Sequence, residues 1–440
     1  MACDLIIYNG IVLMVNDHFE IIKNGIICIQ GDRIESAGHW DKNCPIPPAR
    51  EYIDAEGGIV MPGLVNIHTH LPMTLFRGLA DDLPLDVWLN KHIFPAEAAH
   101  INQDSVYASA LLACAEMILS GTTTCCDGYF LENFVAEAVH RAGIRAVLGQ
   151  GVIDFPAPGV PNPSDNLAYA ENFVQKWKGK SELIQPSIFC HSPYTCSGET
   201  LKAAQSLAES LGVLFQIHVA ETRWEADQMR SKYGFSPVGY LDHLGILDRH
   251  TLMVHGVWMD DRDIDIIAAR GSGMAHNPES NMKLASGVAP IPACLKAGIP
   301  VGLGTDGCAS NNNLDMFDEM DAAAKLHKTF ACDPTIMNAR TVVRMATLDG
   351  ARAIGLDHLI GSIEPGKQAD MIVLSADRPN RIPLFHPESY VVYAAGASDV
   401  RDAVIAGRIV MKNRKLTCLN LHEIYAGIAP LQTAIKQGLK

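Results

Sequence analysis

The sequence is poor in charge and poorer still in cations. Charged residues make up 19% of its 440 positions, with 35 Lys and Arg against 49 Asp and Glu, a formal net charge of −14. Polymeric nucleic acid is therefore not expected as a partner, because phosphate contacts need clustered cations. No Arg occurs between positions 146 and 222. No apolar run approaches the roughly 18 residues of a membrane span, so no membrane partner is expected. The 12 cysteines include no C-x-x-C pair, which removes zinc-ribbon and thioredoxin-type readings. Cys28, Cys114 and Cys190 sit in apolar runs, as small buried hydrophobes do. The N-terminus lacks the basic and apolar regions of a signal peptide, and a reduced, cytoplasmic protein is expected.

What is present is mostly apolar. Hydrophobic residues reach 48%, enough for a large core and too many for a disordered chain. The length allows two to four domains at roughly 100–200 residues each, or fewer if one is an α/β barrel. Near the N-terminus, strands are predicted at 4–8, 11–15 and 25–29, separated by Asn9-Gly10, Asn24-Gly25 and Gly31-Asp32 turns. Near the C-terminus they are predicted at 370–374, 390–394 and 400–410. Neither end has enough strands for a core of its own, so both are expected to join in one β-sandwich.

Between the ends, short apolar strands alternate with amphipathic helical stretches, the pattern of βα units around a parallel sheet. Strands are predicted at 64–68, 122–126, 146–151, 184–189, 213–218, 251–255, 273–276 and 300–304. Helices are predicted at 105–119, 133–142, 167–177, 198–210, 260–269 and 291–297. The fold class is α/β, a (β/α)8 TIM-type barrel with a small sandwich built from both chain ends. The expected division is 1–61 for the N-terminal part of the sandwich, 62–364 for the barrel, and 365–440 for the C-terminal part and a terminal helix. The barrel's extra length falls at 71–103, after its first strand, and so on the active-site face.

The chemistry is written at the strand ends. Asn66-Ile67-His68-Thr69-His70 closes the first barrel strand, and alternate residues of a strand face the same way. The fifth strand ends with His218 and leads to Glu221, the sixth ends with His255, and the eighth runs into Asp306. Each alone would be an ordinary core or surface residue. Together, at one barrel mouth, they predict a metal site. We assign His68, His70, His218 and Asp306 as ligands. Imidazole and carboxylate without thiolate suit zinc, with iron or manganese as alternatives. Such a metal lowers the pKa of a bound water toward about 7. His255 is left for water and proton handling, Asp306 accepts the water's proton, and Glu221 is placed to donate one to a substrate. The fourth strand ends Phe189-Cys190-His191 without a lysine to bridge two metals, so one divalent ion per chain is expected.

These motifs resemble the amidohydrolase superfamily, in particular its 5′-methylthioadenosine/S-adenosylhomocysteine deaminases. The resemblance runs through Met61-Pro62-Gly63-Leu64-Val65-Asn66-Ile67-His68-Thr69-His70, the segment from Leu75 to Leu85, His191-Ser192-Pro193-Tyr194-Thr195, and His218-Val219-Ala220-Glu221-Thr222. It continues at His276-Asn277-Pro278-Glu279-Ser280-Asn281, at Gly304-Thr305-Asp306-Gly307, and at Gly361 to Asp370. It implies hydrolytic deamination of an adenosine-type nucleoside to the inosine analogue and ammonia, and a homo-oligomer. It further implies that Glu97 accepts hydrogen bonds from the ribose hydroxyls, that Trp88 lies beside the nucleoside, and that His191 bonds the purine ring. One departure stands out. Members that use S-adenosylhomocysteine well carry arginines after the third strand, where this chain reads Val152-Ile153-Asp154-Phe155-Pro156-Ala157-Pro158-Gly159. Methylthioadenosine, adenosine or 5′-deoxyadenosine is therefore expected to be preferred, with Arg223 the residue that could serve the longer substrate. The alternatives are hydrolysis of another electron-poor ring (a triazine, guanine, a pterin or cytosine), an amide-ring hydrolase such as a dihydroorotase or hydantoinase, and a non-catalytic scaffold.

Overall fold

The computed structural model describes residues 3–438. Five strands open the chain: β1 (Cys3–Leu13), β2 (Ile21–Gln30), β3 (Arg33–His39), β4 (Ala49–Asp54) and β5 (Ile59–Pro62). Eight more follow: β6 (Leu64–Thr69), β7 (Thr122–Tyr129), β8 (Arg145–Val152), β9 (Ile184–Cys190), β10 (Phe215–Val219), β11 (Thr251–His255), β12 (Gly273–His276) and β13 (Val301–Leu303). Each of these eight pairs in parallel with the next. A parallel bridge between Thr69 and Asp306 brings the last back to the first. Their residues are almost all buried, as in any parallel sheet with side chains packed inside and helices outside. The barrel expected from the alternation is present.

The helices form where the apolar spacing places them, with clear end signals. Gln103–Leu119 starts at Asn102, whose side chain accepts from the Asp104 and Ser105 N–H groups while the Ser105 hydroxyl accepts from Asn102 N. Gly198–Leu211 starts at Ser197 and stops at Gly212, which takes a φ of 58°. The insertion after β6 packs over the mouth as a 3₁₀ turn (Leu71–Phe76), a π-type turn (Trp88–Ile93) and the helix Phe94–His100.

The chain ends meet in one mixed sheet that also contains β14 (Met371–Leu374), β15 (Val400–Ile405), β16 (Arg408–Lys412) and β17 (Lys415–Leu416). Antiparallel pairing of β14 with β5 stitches the ends together. The β2–β3 turn folds back on the segment leading into β14 through Ala369 N to Asp32 O at 2.8 Å and Ile34 N to Lys367 O at 2.9 Å. A separate apolar core that includes Leu5, Ile7, Ile29, Val60, Val373 and Val404 lies within this sheet. The Arg145–Asp370 pair, buried and bidentate at 2.7 and 3.0 Å, ties the start of β8 to it.

Three sequence expectations are corrected. The predicted strands at 4–8 and 11–15 are one strand, irregular where Asn9 takes a φ of 61°. The stretch 400–410 is the hairpin β15–β16, turned at Ala406-Gly407. The predicted strand at 390–394 belongs to the helix Pro387–Tyr393. Its Tyr-Val-Val-Tyr run has strand propensity, but Pro387 at the first helical turn and packing against the helices Met316–Ala331 and Ala339–Met345 override it. Among the cysteines, Cys114 and Cys190 are buried and Cys28 is half-buried; all twelve are free thiols.

Candidate metal centre and active site

The C-terminal ends of β6, β10, β11 and β13 converge. His68 Nε2 lies 3.2 Å from His218 Nε2 and 3.3 Å from Asp306 Oδ1, and His70 Nε2 lies 3.3 Å from the same oxygen. His255 shares this cluster, its ligand atom within 4.8 Å of those of His68 and His218. All of these side chains are buried. The strand ends turn sharply to aim them: Ala220, His255 and Asp306 take φ values of 53°, 74° and 62°. Such left-handed backbone costs about 1–3 kcal/mol per residue. Backbone bonds from Asp306 N to His68 O, Gly256 N to Val219 O and Trp258 N to Ala220 O hold it in place.

His70, His255 and Asp306 are oriented from behind. His70 Nδ1 donates to Gly128 O at 2.6 Å, which leaves Nε2 free to coordinate. His255 Nδ1 donates to Asn281 Oδ1 at 3.1 Å, which turns its Nε2 toward Glu221 Oε2 at 3.8 Å. Asp306 Oδ2 accepts from Ser280 and Ser310, and Oδ1 from Gly307 N. The Glu225 carboxylate accepts from the backbone N–H groups of Ala220 and Glu221, pinning the loop that carries Glu221.

Burial sets the charge states. It pulls His68 down to about 4 and His218 well below its ordinary value, so both imidazoles are neutral and able to coordinate. Burial pushes the Asp306 carboxyl up, but contact with His68 and the neighbouring imidazoles outweighs it and holds the group well below the carboxylate range. Burial raises Glu221, partly offset by His255. Neutral imidazoles around an ionised carboxylate fit a divalent ion of the zinc type.

His70, His218, Glu221, His255 and Asp306 line a cavity of about 420 Å³. Glu97, Trp88 and His191 line it too. Glu97 is 4% exposed and accepts a hydrogen bond from the Tyr129 hydroxyl. Burial pushes its carboxyl up to about 7 against that bond. His191 bonds Thr195 Oγ1 at 3.0 Å, and burial pulls it down to about 4. Among the described residues, no Lys or Arg lines the cavity. Phe94, Phe155, Pro156, Ala157 and Pro158 form an apolar wall, with Phe94 and Phe155 edge to face at 5.9 Å. Arg223 does not reach the cavity. Its side chain is 74% exposed, 3.7 Å from Asp227 and over the Trp258 ring. His276, at the end of β12, faces His327 at 3.0 Å instead of the cluster.

Sequence reasoning missed Tyr129, Ser280, Asn281, Ser310 and Glu225. Ser280 and Asn281 lie in a motif already noticed, but nothing in their spacing says which side chain each one holds.

Imidazoles and a carboxylate gathered at one mouth of a parallel barrel define a metal-dependent barrel hydrolase. The chain belongs to the amidohydrolase family, whose sequence profile matches residues 59–410, and within it to the methylthioadenosine/S-adenosylhomocysteine deaminases. It is 46% identical over 433 residues to the 5-methylthioadenosine/S-adenosylhomocysteine deaminase of Syntrophobacter fumaroxidans, covering 98% of each chain. It is 45% identical over 401 residues to the 5′-deoxyadenosine deaminase of Methanothermobacter thermautotrophicus, covering 90% of this chain and 92% of that one. The crystal structure of an adenosine deaminase from Xanthomonas campestris with bound zinc superposes with a TM-score of 0.96 at 37% identity, covering 99% of each chain.

Proposed function

We propose that this enzyme hydrolytically removes the 6-amino group of adenosine-type nucleosides whose 5′ end is small or apolar. Methylthioadenosine, 5′-deoxyadenosine and adenosine are the favoured substrates over S-adenosylhomocysteine. The observation that carries the reading is a cavity with the His/Asp cluster at one end, Glu97 within it, an apolar wall and no lining cation. An α-amino acid at the 5′ end would bring a carboxylate into a space that offers it no guanidinium.

In this reading His68, His70, His218 and Asp306 hold one divalent ion, with zinc the best match. When bound, the ion supplies Lewis acidity that makes water a competent nucleophile near neutral pH. Glu221 donates a proton to the ring nitrogen beside C6, and its raised carboxyl suits a general acid. Asp306 and His255 take up the proton of the incoming water, His255 through the Nε2 that its Asn281 bond leaves free. That proton passes to the amino group, which departs as ammonia, and the remaining proton of the attacking oxygen returns to Glu221 as the C6 carbonyl forms. Glu97 receives the ribose hydroxyls, Trp88 packs beside the nucleoside and His191 bonds the purine. The site residues all fall within 62–364, which we take as the catalytic barrel. The twelve free thiols suit a reducing cytoplasm, and the family resemblance points to a homo-oligomer.

A panel of zinc-loaded reactions tests the reading. Ammonia should be released from methylthioadenosine, 5′-deoxyadenosine and adenosine. Chloride from a chlorotriazine, or ammonia from guanine alone, would refute it.

A further inference from the structure

Two serines from different segments grip Asp306, and a buried carboxyl behind them ties those segments together. Glu319 lies in the first turn of the helix Met316–Ala331 and is fully buried. Burying a carboxyl is costly unless its oxygens are hydrogen-bonded, and here both are. Oε1 accepts from Asn311 Nδ2 at 2.9 Å, and Oε2 accepts from Glu279 N at 3.2 Å.

Each donor stands next to one of the serines. Glu279 precedes Ser280 in the helix Pro278–Lys283, and Asn311 follows Ser310 in the loop after β13. Ser280 Oγ lies 2.7 Å from Asp306 Oδ2 and Ser310 Oγ lies 3.1 Å from it, with 3.1 Å between the two hydroxyls. The Asn311 amide uses both of its hydrogens: besides Glu319 it donates to Thr305 O at 2.8 Å, the carbonyl just before Asp306. Asn66 holds the same residue from the barrel side. Its Oδ1 accepts from Thr305 N at 3.1 Å, and its Nδ2 donates to Thr305 Oγ1 at 2.7 Å. The left-handed turn at Asp306 persists only where the surroundings fix it in this way.

We propose that Glu319 is the positioning residue of Asp306: through Asn311 and Glu279, one buried carboxyl fixes the carbonyl before Asp306 and the two serines that orient its carboxylate. The inference rests on the reading of Asp306 as a metal ligand.

The test is a double-mutant cycle on zinc affinity for wild type, E319Q, D306A and E319Q/D306A, read by competition of the zinc-loaded protein with a chromophoric chelator. Circular dichroism establishes that each variant is folded. Both oxygens of a carboxyl can accept in either protonation state, whereas the amide of E319Q turns an N–H donor toward one of the two N–H groups. E319Q should therefore bind zinc about tenfold more weakly than wild type, the usual cost of disturbing a group that orients a ligand. If that loss travels through Asp306, E319Q/D306A should bind zinc within about threefold of D306A, because coupled sites are not additive. A further loss of about tenfold in the D306A background would mean a general loosening and overturn the inference. Wild-type affinity in E319Q beside weakened binding in D306A overturns it too and leaves the ligand reading intact. Wild-type affinity in D306A overturns the ligand reading, and the inference with it. If E319Q fails to fold, N311A cuts the same chain one link nearer Asp306 and decides by the same comparison.

Discussion

Glu97→Gln separates what this residue costs the fold from what it gives the site. The carboxyl is buried and pushed from 4.5 up to about 7, with Tyr129 as its one opposing hydrogen-bond donor. Between those two values the folded protein holds a proton that the unfolded chain has released. Stability therefore falls as pH rises through that window, and the full deficit is reached above about pH 7. At about 1.4 kcal/mol per pH unit, the deficit is about 3 kcal/mol. The amide carries no charge to bury, so E97Q should be more stable than wild type at pH 8 and no more stable at pH 4.5. Function should move the opposite way. A carboxylate accepts from two ribose hydroxyls, whereas an amide offers one acceptor and two donors. At about 1.5–3 kcal/mol for a hydrogen bond to a charged group, the loss in kcat/KM should be about 10–100-fold. Wild-type kcat/KM should also drop as pH falls below about 7, where the free carboxyl gains its proton, and E97Q should lack that drop. The assays are thermal unfolding at the two pH values and steady-state deamination across pH 6–8. An E97Q variant with wild-type kcat/KM would refute the ribose role. One that is less stable at pH 8 would refute the electrostatic argument.

Glu221→Gln should retain stoichiometric metal and lose turnover by about 10²–10⁴, the usual worth of a positioned general acid; near-normal activity would remove Glu221 from proton transfer. Asp370→Ala leaves the Arg145 guanidinium buried without its partner between barrel and sheet, and should cost about 3–5 kcal/mol in chemical denaturation; a loss below about 1 kcal/mol would show the pair to be dispensable. Phe155→Arg should raise the kcat/KM for S-adenosylhomocysteine relative to methylthioadenosine by placing a cation in the apolar wall; an unchanged ratio would put the 5′ end elsewhere in the cavity.

The barrel was legible because parallel strands buried on both faces are short apolar runs, and because four of them bring the clustered His and Asp residues to one mouth. The helix Pro387–Tyr393 was not, since its Tyr-Val-Val-Tyr run has the local character of a strand and only its neighbours make it a helix. The clustered histidines could be read one strand at a time. The groups that aim them could not: Asn281 meets His255, and Asp127 meets Thr69 and Leu71, across different barrel units. Tyr129 closes β7 and meets Glu97 in the insertion after β6, a pairing that no local pattern encodes. Arg223 was misjudged for a related reason. Its position just after β10 suggested reach into the mouth, but it opens the helix Arg223–Tyr233 and its side chain lies outside the cavity.

Metal-dependent deamination and selection against a charged 5′ end can be read in one experiment. The most direct measurement is kcat/KM of the zinc-loaded enzyme for methylthioadenosine and for S-adenosylhomocysteine, followed by the ultraviolet change from adenine to hypoxanthine. Both should depend on the metal, and methylthioadenosine should be the better substrate by at least about tenfold, the worth of one unmade charged hydrogen bond. An equal or higher kcat/KM for S-adenosylhomocysteine would contradict it.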